Sequence, residues 1–280
     1  MTRPLVVKFG GELLEEPSRL SVVVNALRRI AGSGVPLAVV HGGGKEIDAG
    51  LKVAGIPKRQ IEGLRITDAA TLDVVVSVLG GAINTRLVAA LNHAGVNAVG
   101  LTGADARCGL VEPAPPHRTV DGQTIDLERV GVPAASADPA LVAMLAGHNY
   151  VPVIACIGLG ADGQLYNVNA DTFAGHLAAR LGAARLVIAG TTAGVLDEKG
   201  ATVPLLDPAG MESLIAGGTA TAGMIAKLRS CQDALARGVD SVVIVDGRDE
   251  ASLAAAANDA ATARATTLAA HAVHTQGVNR

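Results

Sequence analysis

The stretch Pro36-Leu37-Ala38-Val39-Val40-His41-Gly42-Gly43-Gly44-Lys45 joins a short apolar run to three successive glycines, and a helical pattern follows it. The apolar run predicts a buried strand, and the glycines predict a tight turn into the next helix. Three glycines in that place let backbone N–H groups converge on an anion at the positive end of the helix. A plain tight turn is the alternative. The Gly-x-x-x-x-Gly-Lys-Ser/Thr pattern of a P-loop is absent from the sequence.

The segment Val6-Val7-Lys8-Phe9-Gly10-Gly11 has the same form, because an apolar strand again runs into glycines. Elsewhere short β-branched runs alternate with longer segments of helical period. That alternation predicts an α/β fold with a mainly parallel sheet covered on both faces, and ligands collect at the carboxyl ends of such strands. We predict strands at about 4–9, 36–41, 96–101, 151–157, 185–190 and 241–246, and helices at about 17–31, 45–55, 68–92, 138–147, 171–182, 223–237 and 249–258.

The stretch Asn167-Val168-Asn169-Ala170-Asp171 is predicted to meet two lysines that are distant in sequence, Lys8 and Lys227. Each lysine lies where a glycine-rich turn meets a regular element. An aspartate between two ammonium groups holds both cations in place, and two fixed cations suit a polyphosphate. We therefore interpret the three side chains as a phosphoryl-transfer site. The alternative for Asp171 is an ordinary helix N-cap.

The segment Gly158-Leu159-Gly160-Ala161-Asp162-Gly163 matches the dinucleotide pattern G-x-G-x-x-G after an apolar strand. That pattern binds a pyrophosphate only when it opens a helix. Here Gln164-Leu165-Tyr166-Asn167-Val168 alternates like another strand, so Asp162-Gly163 is interpreted as a hairpin tip. We therefore reject a nicotinamide-dependent Rossmann enzyme.

Arg65, in Gly63-Leu64-Arg65-Ile66-Thr67-Asp68, is a candidate for holding a carboxylate through two parallel hydrogen bonds. A solvated surface arginine is the alternative, and Thr67 or Asp68 is predicted to cap the next helix. Residues 103–136 are richer in proline and predict loops and hairpins beside the pocket. From about residue 259 the chain is rich in Ala and Thr, and we predict no regular structure there.

Composition excludes several classes of protein. The net charge is −3 and aromatic residues make up 1% of the chain, so no basic patch or stacking platform is predicted for nucleic acid. Uninterrupted apolar runs fall well short of the ~20 residues of a membrane span, and no export signal is recognised. Three widely spaced cysteines fit a reducing cytoplasm better than a disulfide framework or a zinc site.

Five stretches together resemble the amino acid kinase family. The resemblance implies a three-layer αβα sandwich with a mainly parallel central sheet. It implies that residues 1–180 bind N-acetyl-L-glutamate and mediate dimerisation, and that residues 181–280 bind ATP. The implied reaction is ATP-dependent phosphorylation of the γ-carboxylate of N-acetyl-L-glutamate in arginine biosynthesis, with Mg²⁺ bound through the nucleotide. The five stretches are Lys8-Phe9-Gly10-Gly11, His41-Gly42-Gly43-Gly44, Gly63-Leu64-Arg65-Ile66-Thr67, Asn167-Val168-Asn169-Ala170-Asp171 and Gly223-Met224-Ile225-Ala226-Lys227.

The same resemblance implies roles for individual residues, and it implies no protein ligand to a metal. The catalytic residues are Lys8 and Lys227, which stabilise charge on the transferred phosphoryl group, and Asp171, which organises them. The phosphate is held by Gly10, Gly11 and Gly43, the acceptor by Gly43, Gly44, Arg65, Asn167 and Asn169, and the nucleotide by Thr191, Thr192, Gly194, Leu196, Thr219 and Thr221.

The chain departs from the family pattern on the nucleotide side. Thr191 and Ala222 stand where the family usually has aspartates. Two alternative functions therefore stay open: a related kinase acting on free or carrier-linked aminoadipate in lysine biosynthesis, and a catalytically weak regulatory protein that binds acetylglutamate.

Seven residues precede Lys8, too few for the additional N-terminal helix of the arginine-inhibited hexamers in this family. We therefore expect a homodimer that arginine does not inhibit. The sequence leaves open whether a PII-type regulator binds.

Overall fold

The strand β1 (Leu5–Phe9) lies in the middle of an eight-stranded sheet, and both of its faces are buried. The computed structural model describes residues 2–217, 222–258, 260 and 262–269. In spatial order the sheet contains β14 (Leu205–Leu206), β16 (Ala265–Ala269), β15 (Ser241–Asp246), β13 (Arg185–Gly190), β1, β2 (Leu37–His41), β10 (Val151–Ala155) and β5 (Ala98–Thr102). The six neighbouring strands from β15 to β5 in this order are parallel to one another, and β16 runs antiparallel to β15.

Helices cover this sheet and complete the predicted three-layer αβα sandwich. Apolar strands buried on both faces are typical of such parallel sheets, and β1, β2 and β10 are buried throughout. The helices are α1 (Pro17–Gly32), α2 (Gly44–Val53), α3 (Ala69–Val76), α4 (Asn84–His93), α5 (Ala140–Gly147), α6 (Ala170–Arg180), α7 (Pro208–Ala216), α8 (Ala222–Ala236) and α9 (Glu250–Ala257), with 3₁₀ turns at Gly11–Leu13 and Asp105–Arg107.

A small four-stranded barrel lies beside the carboxyl end of β10. It contains the predicted hairpin, because β11 (Ile157–Gly160) and β12 (Leu165–Val168) pair antiparallel around the turn at Asp162-Gly163. The G-x-G-x-x-G match is therefore part of a hairpin, as predicted. The barrel strands are β6 (Leu110–Pro113), β9 (Val130–Pro133), β11 (Ile157–Gly160) and β12 (Leu165–Val168), and two short hairpins pair β3 (Gln60–Ile61) with β4 (Leu64–Arg65) and β7 (His117–Arg118) with β8 (Thr124–Ile125).

Three predicted element assignments differ from the structure. The predicted strand 151–157 is two strands, which separate at Cys156 so that the second enters the barrel. Helix α7 was not predicted, although Pro208 at its first turn and Asp207 as its N-cap are ordinary start signals. Strand β16 forms within a segment for which no structure was predicted, since β15 supplies its hydrogen-bonding partner. Residues 270–280 lie outside the described residues.

The predicted helix 68–92 is one continuous helical run with a π-helical segment, Ser77–Ile83, between α3 and α4. By length and composition alone, Ala69–His93 is apolar enough to span a membrane, although a charge-free run of that length is absent. About a third of its most apolar window is buried. Leu79, Ile83 and Leu87 are in the core, as in a helix that packs on a sheet.

Candidate active site

Lys8 is a charged residue in the central strand of the sheet, and only 7% of its surface is exposed. Its neighbours across the strand are Ile188 of β13 and Val40 of β2. A buried ammonium group needs a partner, because the apolar interior does not solvate it. The carboxylate of Asp171 supplies that partner, with 2.7 Å between Lys8 Nζ and Asp171 Oδ1.

Asp171 is free to make this contact because another residue caps its helix. The side-chain oxygen of Asn169 accepts hydrogen bonds from the backbone N–H groups of Asp171 (2.9 Å) and Thr172 (3.1 Å) at the start of α6. The alternative interpretation of Asp171 as the N-cap is therefore wrong. Asn169 itself lies just beyond the end of β12.

Lys227 reaches the same carboxylate from α8, with 2.9 Å between its Nζ and Asp171 Oδ2. The helices α6 and α8 pack closely, and a Cβ built on Gly175 would lie 3.2 Å from the carbonyl oxygen of Ser230. The hydroxyls of Thr172 and Ser230 are 3.1 Å apart across this contact. The structure thus brings together the three side chains that the sequence singled out.

The charges of this triad determine the pKa of each group. Burial alone would raise the pKa of Asp171, but the two ammonium groups outweigh it and hold that pKa far below its usual range. Burial would lower the pKa of Lys8, yet the adjacent carboxylate raises it above the ordinary value. The pKa of Lys227 is lowered, because burial and the charge of Lys8 outweigh the attraction of Asp171.

The two glycine turns touch each other beside Lys8. A Cβ built on Gly11 would lie 2.5 Å from the Cα of Gly43, so the backbones could not approach in this way with larger residues. Behind Gly43, a Cβ would collide with Ile83 and Leu79 of the long helical run. The turns form one wall of a cavity of about 410 Å³, which is lined by Lys8, Gly10, Gly11, Gly42, Gly43, Gly44, Arg65, Asn167, Asn169, Asp171 and others.

Arg65 also lines this cavity, next to Gly44. One nitrogen, Nη2, donates to Asp48 Oδ1 at 2.5 Å and to the carbonyl oxygen of Gly44 at 3.3 Å. The other nitrogen, Nη1, is buried without a hydrogen-bond partner in the described part of the chain. Nearby, Asn167 donates to the hydroxyl of Thr67 at 3.2 Å. A guanidinium group with one unpaired nitrogen in a cavity is suited to binding the carboxylate of a ligand.

Those predicted nucleotide residues that the structure describes lie outside this cavity. Residues 191–196 follow β13, and Gly194 needs its positive φ of 81° because Val195 turns back to Thr266. Thr191, Thr192, Gly194 and Leu196 do not line the cavity, and Leu196 is 41% exposed. The predicted residues Thr219 and Thr221 lie outside the described residues.

The described residues contain no cluster of three or more metal-ligating side chains. The carboxylate of Glu12 lines the cavity, stands over Gly10 and would be 3.8 Å from a Cβ on Gly190. Glu12 therefore lies between the Gly10-Gly11 turn and Gly190, which precedes the predicted nucleotide loop. One carboxylate in that position fits Mg²⁺, which is usually held by one or two carboxylates together with substrate phosphates.

Several polar cavity residues were not predicted as site residues from the sequence, among them Glu12, Asp48, Lys58 and Gln60. Asp48 follows Gly44 by one helical turn, so its position on the glycine-turn face of α2 was a usable signal. Lys58 contacts Asp48 at 2.8 Å and shares it with Arg65. The position of Lys58 depends on the loop before β3, for which periodicity gives no signal.

Comparison with known proteins agrees with this architecture. The family model described as "Amino acid kinase family" matches residues 3–246. Acetylglutamate kinase of Sphingopyxis alaskensis is 42% identical over 87% of this chain and 82% of its own length. The chloroplastic acetylglutamate kinase of Arabidopsis thaliana is 39% identical over 90% of this chain and 71% of its own.

Among solved structures, N-acetylglutamate synthase from Neisseria gonorrhoeae superposes with a TM-score of 0.82 at 23% identity. The match covers 97% of this chain, which spans 60% of the synthase. The family match and the two kinases each extend over most of the chain, and the predicted αβα sandwich is the observed fold. The chain belongs to the amino acid kinase family.

Proposed function

We propose that the protein transfers the γ-phosphoryl group of ATP to the γ-carboxylate of N-acetyl-L-glutamate, forming N-acetyl-L-glutamyl 5-phosphate in arginine biosynthesis. The observation that carries this proposal is the pair of ammonium groups, Lys8 and Lys227, held by one buried carboxylate beside a cradle of glycine amides. The similarity to acetylglutamate kinases at about 40% identity supports the choice of acceptor.

The proposed acceptor explains why the site needs no general base. A carboxylate is already ionised at neutral pH, so no proton has to be removed before it attacks phosphorus. Catalysis then consists of bringing two anions together in line and stabilising their shared charge. His41 and His176 accordingly have no role in proton transfer.

Lys8 and Lys227 stabilise the negative charge on the phosphoryl oxygens during transfer. Asp171 keeps both lysines at fixed positions and does not contact the phosphoryl group itself. The N–H groups around Gly11 and Gly43 donate to the same oxygens from the other side. Lys8 lies in a strand that the sheet holds on both sides, so little reorganisation is required at this end of the site.

Recognition of the acceptor is assigned to the Arg65 end of the cavity. The unpaired Nη1 of Arg65 donates to the α-carboxylate of acetylglutamate, while Asp48 keeps the guanidinium plane in place. Asn167 binds the acetamide group. Asn169 contributes through its side-chain NH₂, because its side-chain oxygen is used by the helix cap. Gly43 and Gly44 contact the acceptor through their backbone.

ATP is assigned to the C-terminal half, with residues 191–196 and the predicted Thr219 and Thr221 as its contacts. Membership of a kinase family supports the use of ATP. Mg²⁺ would supply charge neutralisation for the phosphates of the nucleotide, and among the described residues Glu12 would help to hold it. In this proposal residues 1–180 bind the acceptor and residues 181–280 the nucleotide.

We further propose a homodimer in the cytoplasm. Strand β5 ends the sheet, and Ser77, Gly81 and Ala89 are exposed on the neighbouring helical run, which leaves a flat, small-residue surface for a second copy. All three cysteines are free and buried, which fits a reducing compartment. Light scattering should give twice the 28.0 kDa of one chain, and a monomer or hexamer would refute the dimer.

The deciding experiment measures ADP release with N-acetyl-L-glutamate, glutamate, aspartate and aminoadipate as acceptors. We expect turnover with acetylglutamate and little with the others, since the free amines lack the acetyl group. Preference for aminoadipate, free or carrier-linked, would favour the lysine-pathway kinase. Binding of acetylglutamate by calorimetry without ADP release would instead indicate a regulatory protein.

A further inference from the structure

His41 is the residue before the triple-glycine turn, and it is completely buried beneath that turn. Burial lowers the pKa of its imidazole to about 4, so the ring is neutral at physiological pH. A neutral imidazole carries its proton on one nitrogen only, and the partner of the other nitrogen selects which one. The proposed reaction does not use this ring for proton transfer, so its burial needs another explanation.

Asn84 selects the tautomer of His41. Its side-chain amide nitrogen donates to the carbonyl oxygen of Val153 at 2.9 Å and lies 3.1 Å from His41 Nε2. The amide therefore donates to Nε2, which must be unprotonated, and the proton resides on Nδ1. Asn84 directly follows the π-helical segment and is itself buried. On β5, a Cβ on Gly100 would collide with the Asn84 side-chain oxygen, so the strand leaves room for this amide.

The Nδ1–H of His41 is 3.3 Å from the carbonyl oxygen of Gly42. All peptide bonds in the described chain are trans, so the N–H of Gly43 points away from the carbonyl of Gly42 in the same peptide plane. That carbonyl is directed towards the buried ring. The Gly43 N–H is therefore directed to the opposite side, where Gly11 and the cavity lie, and it has no partner in the described part of the chain.

We propose that Asn84 and His41 are positioning residues that direct the Gly43 N–H towards the transferred phosphoryl group. Asn84 fixes the histidine tautomer, His41 fixes the Gly42–Gly43 peptide plane, and the plane directs the amide. This inference rests on the proposed phosphoryl transfer. It adds two buried residues that contact neither substrate.

Substitutions at His41 separate this role from simple packing. An asparagine at position 41 places its amide N–H close to where Nδ1 of the histidine was. A glutamine there places its amide close to where Nε2 was. We expect His41→Asn to keep kcat within about threefold and His41→Gln to lose about tenfold or more, part of the 10²–10³ that one oxyanion donor supplies. The KM for acetylglutamate should change little, because the lost interaction belongs to the transition state.

Asn84→Leu has a matched control in Asn92→Leu. Asn92 lies on the same helix and makes hydrogen bonds to Ala98 of β5, but it does not contact His41. We expect Asn84→Leu to lower kcat by about tenfold and Asn92→Leu to leave it unchanged. Equal losses in the Asn84 and Asn92 variants, or in the two His41 variants, would overturn the proposal.

If the variants fail to fold, a measurement on the unmodified protein still tests the proposal. ¹⁵N-histidine NMR reports the tautomer directly, and we expect His41 to be protonated on Nδ1 alone between pH 8 and about pH 5.5. Protonation on Nε2 would refute the inference whatever the kinetics. Absence of ADP release by the unmodified enzyme would refute the proposed function instead, so the two failures are distinguishable.

Discussion

At the scale of single residues, the site depends on one carboxylate that binds two cations. Asn169 caps α6 and leaves both oxygens of Asp171 for the lysines. A buried pair broken on one side is costly, because the remaining charge has no compensation. The consequences of changing Asp171 therefore fall on the lysines.

We expect Asp171→Asn to lower kcat by about 10²–10³, because both ammonium groups lose their shared anion. Steady-state ADP release with acetylglutamate measures this. Asp207→Asn is the control: Asp207 caps α7, and asparagine caps equally well. A near-normal kcat for the Asp171 variant would count against the assigned role.

The lowered pKa of Lys227 predicts an early alkaline limit. A lysine with a lowered pKa is charged below that pKa and loses its proton at a lower pH than a free lysine. We therefore expect kcat/KM for ATP to fall on the alkaline side, where free enzyme is titrated. Lys227→Arg should move this limb to higher pH, because guanidinium stays charged. If the alkaline limb of the kcat/KM profile stays at the same pH in the variant, a group other than Lys227 is responsible for it.

At the scale of elements, the long helical run Ala69–His93 buttresses the glycine turn. Its Leu79 and Ile83 occupy the space that a Cβ on Gly43 would need. The π-helical segment Ser77–Ile83 lies at this contact, and such segments often occur at functional sites. The turn and the helix are therefore packed as one unit.

Gly43→Ala tests this packing. We expect the free energy of unfolding to fall by about 1–3 kcal/mol, as for other overpacked sites, and kcat to fall with it. Gly32→Ala at the exposed end of α1 meets no atom within 4 Å and should change stability by less than about 0.5 kcal/mol. Urea denaturation of both variants makes the comparison. Equal stability of the two would show that the turn can move away from the helix.

At the scale of the whole molecule, two histidines that stay neutral in the folded state predict sensitivity to mild acid. The pKa values of His41 and His176 are lowered to about 4, mainly by burial, against 6.5 in the unfolded chain. Between these values the unfolded chain binds more protons, so the free energy of unfolding falls as pH drops from 6.5 to about 4.

Urea midpoints at pH 7.5, 5.5 and 4.5 measure this dependence. His176→Gln should reduce the loss of stability, since one of the two titrating groups is gone. His93→Gln, at an exposed position, should keep the full loss. An unchanged acid dependence in the His176 variant would contradict the assignment.

The sequence predicted the central strands, the hairpin at Asp162-Gly163 and the three charged residues, because each carries a local signal: an apolar run, a turn or a glycine-rich junction. It did not predict β16, which needs β15 as its partner, or Lys58 beside Asp48, whose position depends on the loop before β3. The N-cap was assigned to Asp171 as an alternative, since Asn169 and Asp171 are both good capping residues and only the backbone decides between them. Apart from the contact of Asp171 with the two lysines, these contacts between distant segments were missed, because local patterns carry no signal for them.

The central position of β1 restricts how the enzyme can move during a catalytic cycle. Hydrogen bonds on both edges tie this strand to β13 and β2, so the central sheet runs without a break between the proposed nucleotide and acceptor halves. A large rotation between them would break the hydrogen bonds between neighbouring strands of the sheet. Lys8 is therefore expected to stay in place. Lys227 is carried by a helix outside the sheet. In the proposed reaction, any closure over ATP would therefore move α8, which carries Lys227, relative to a stationary Lys8.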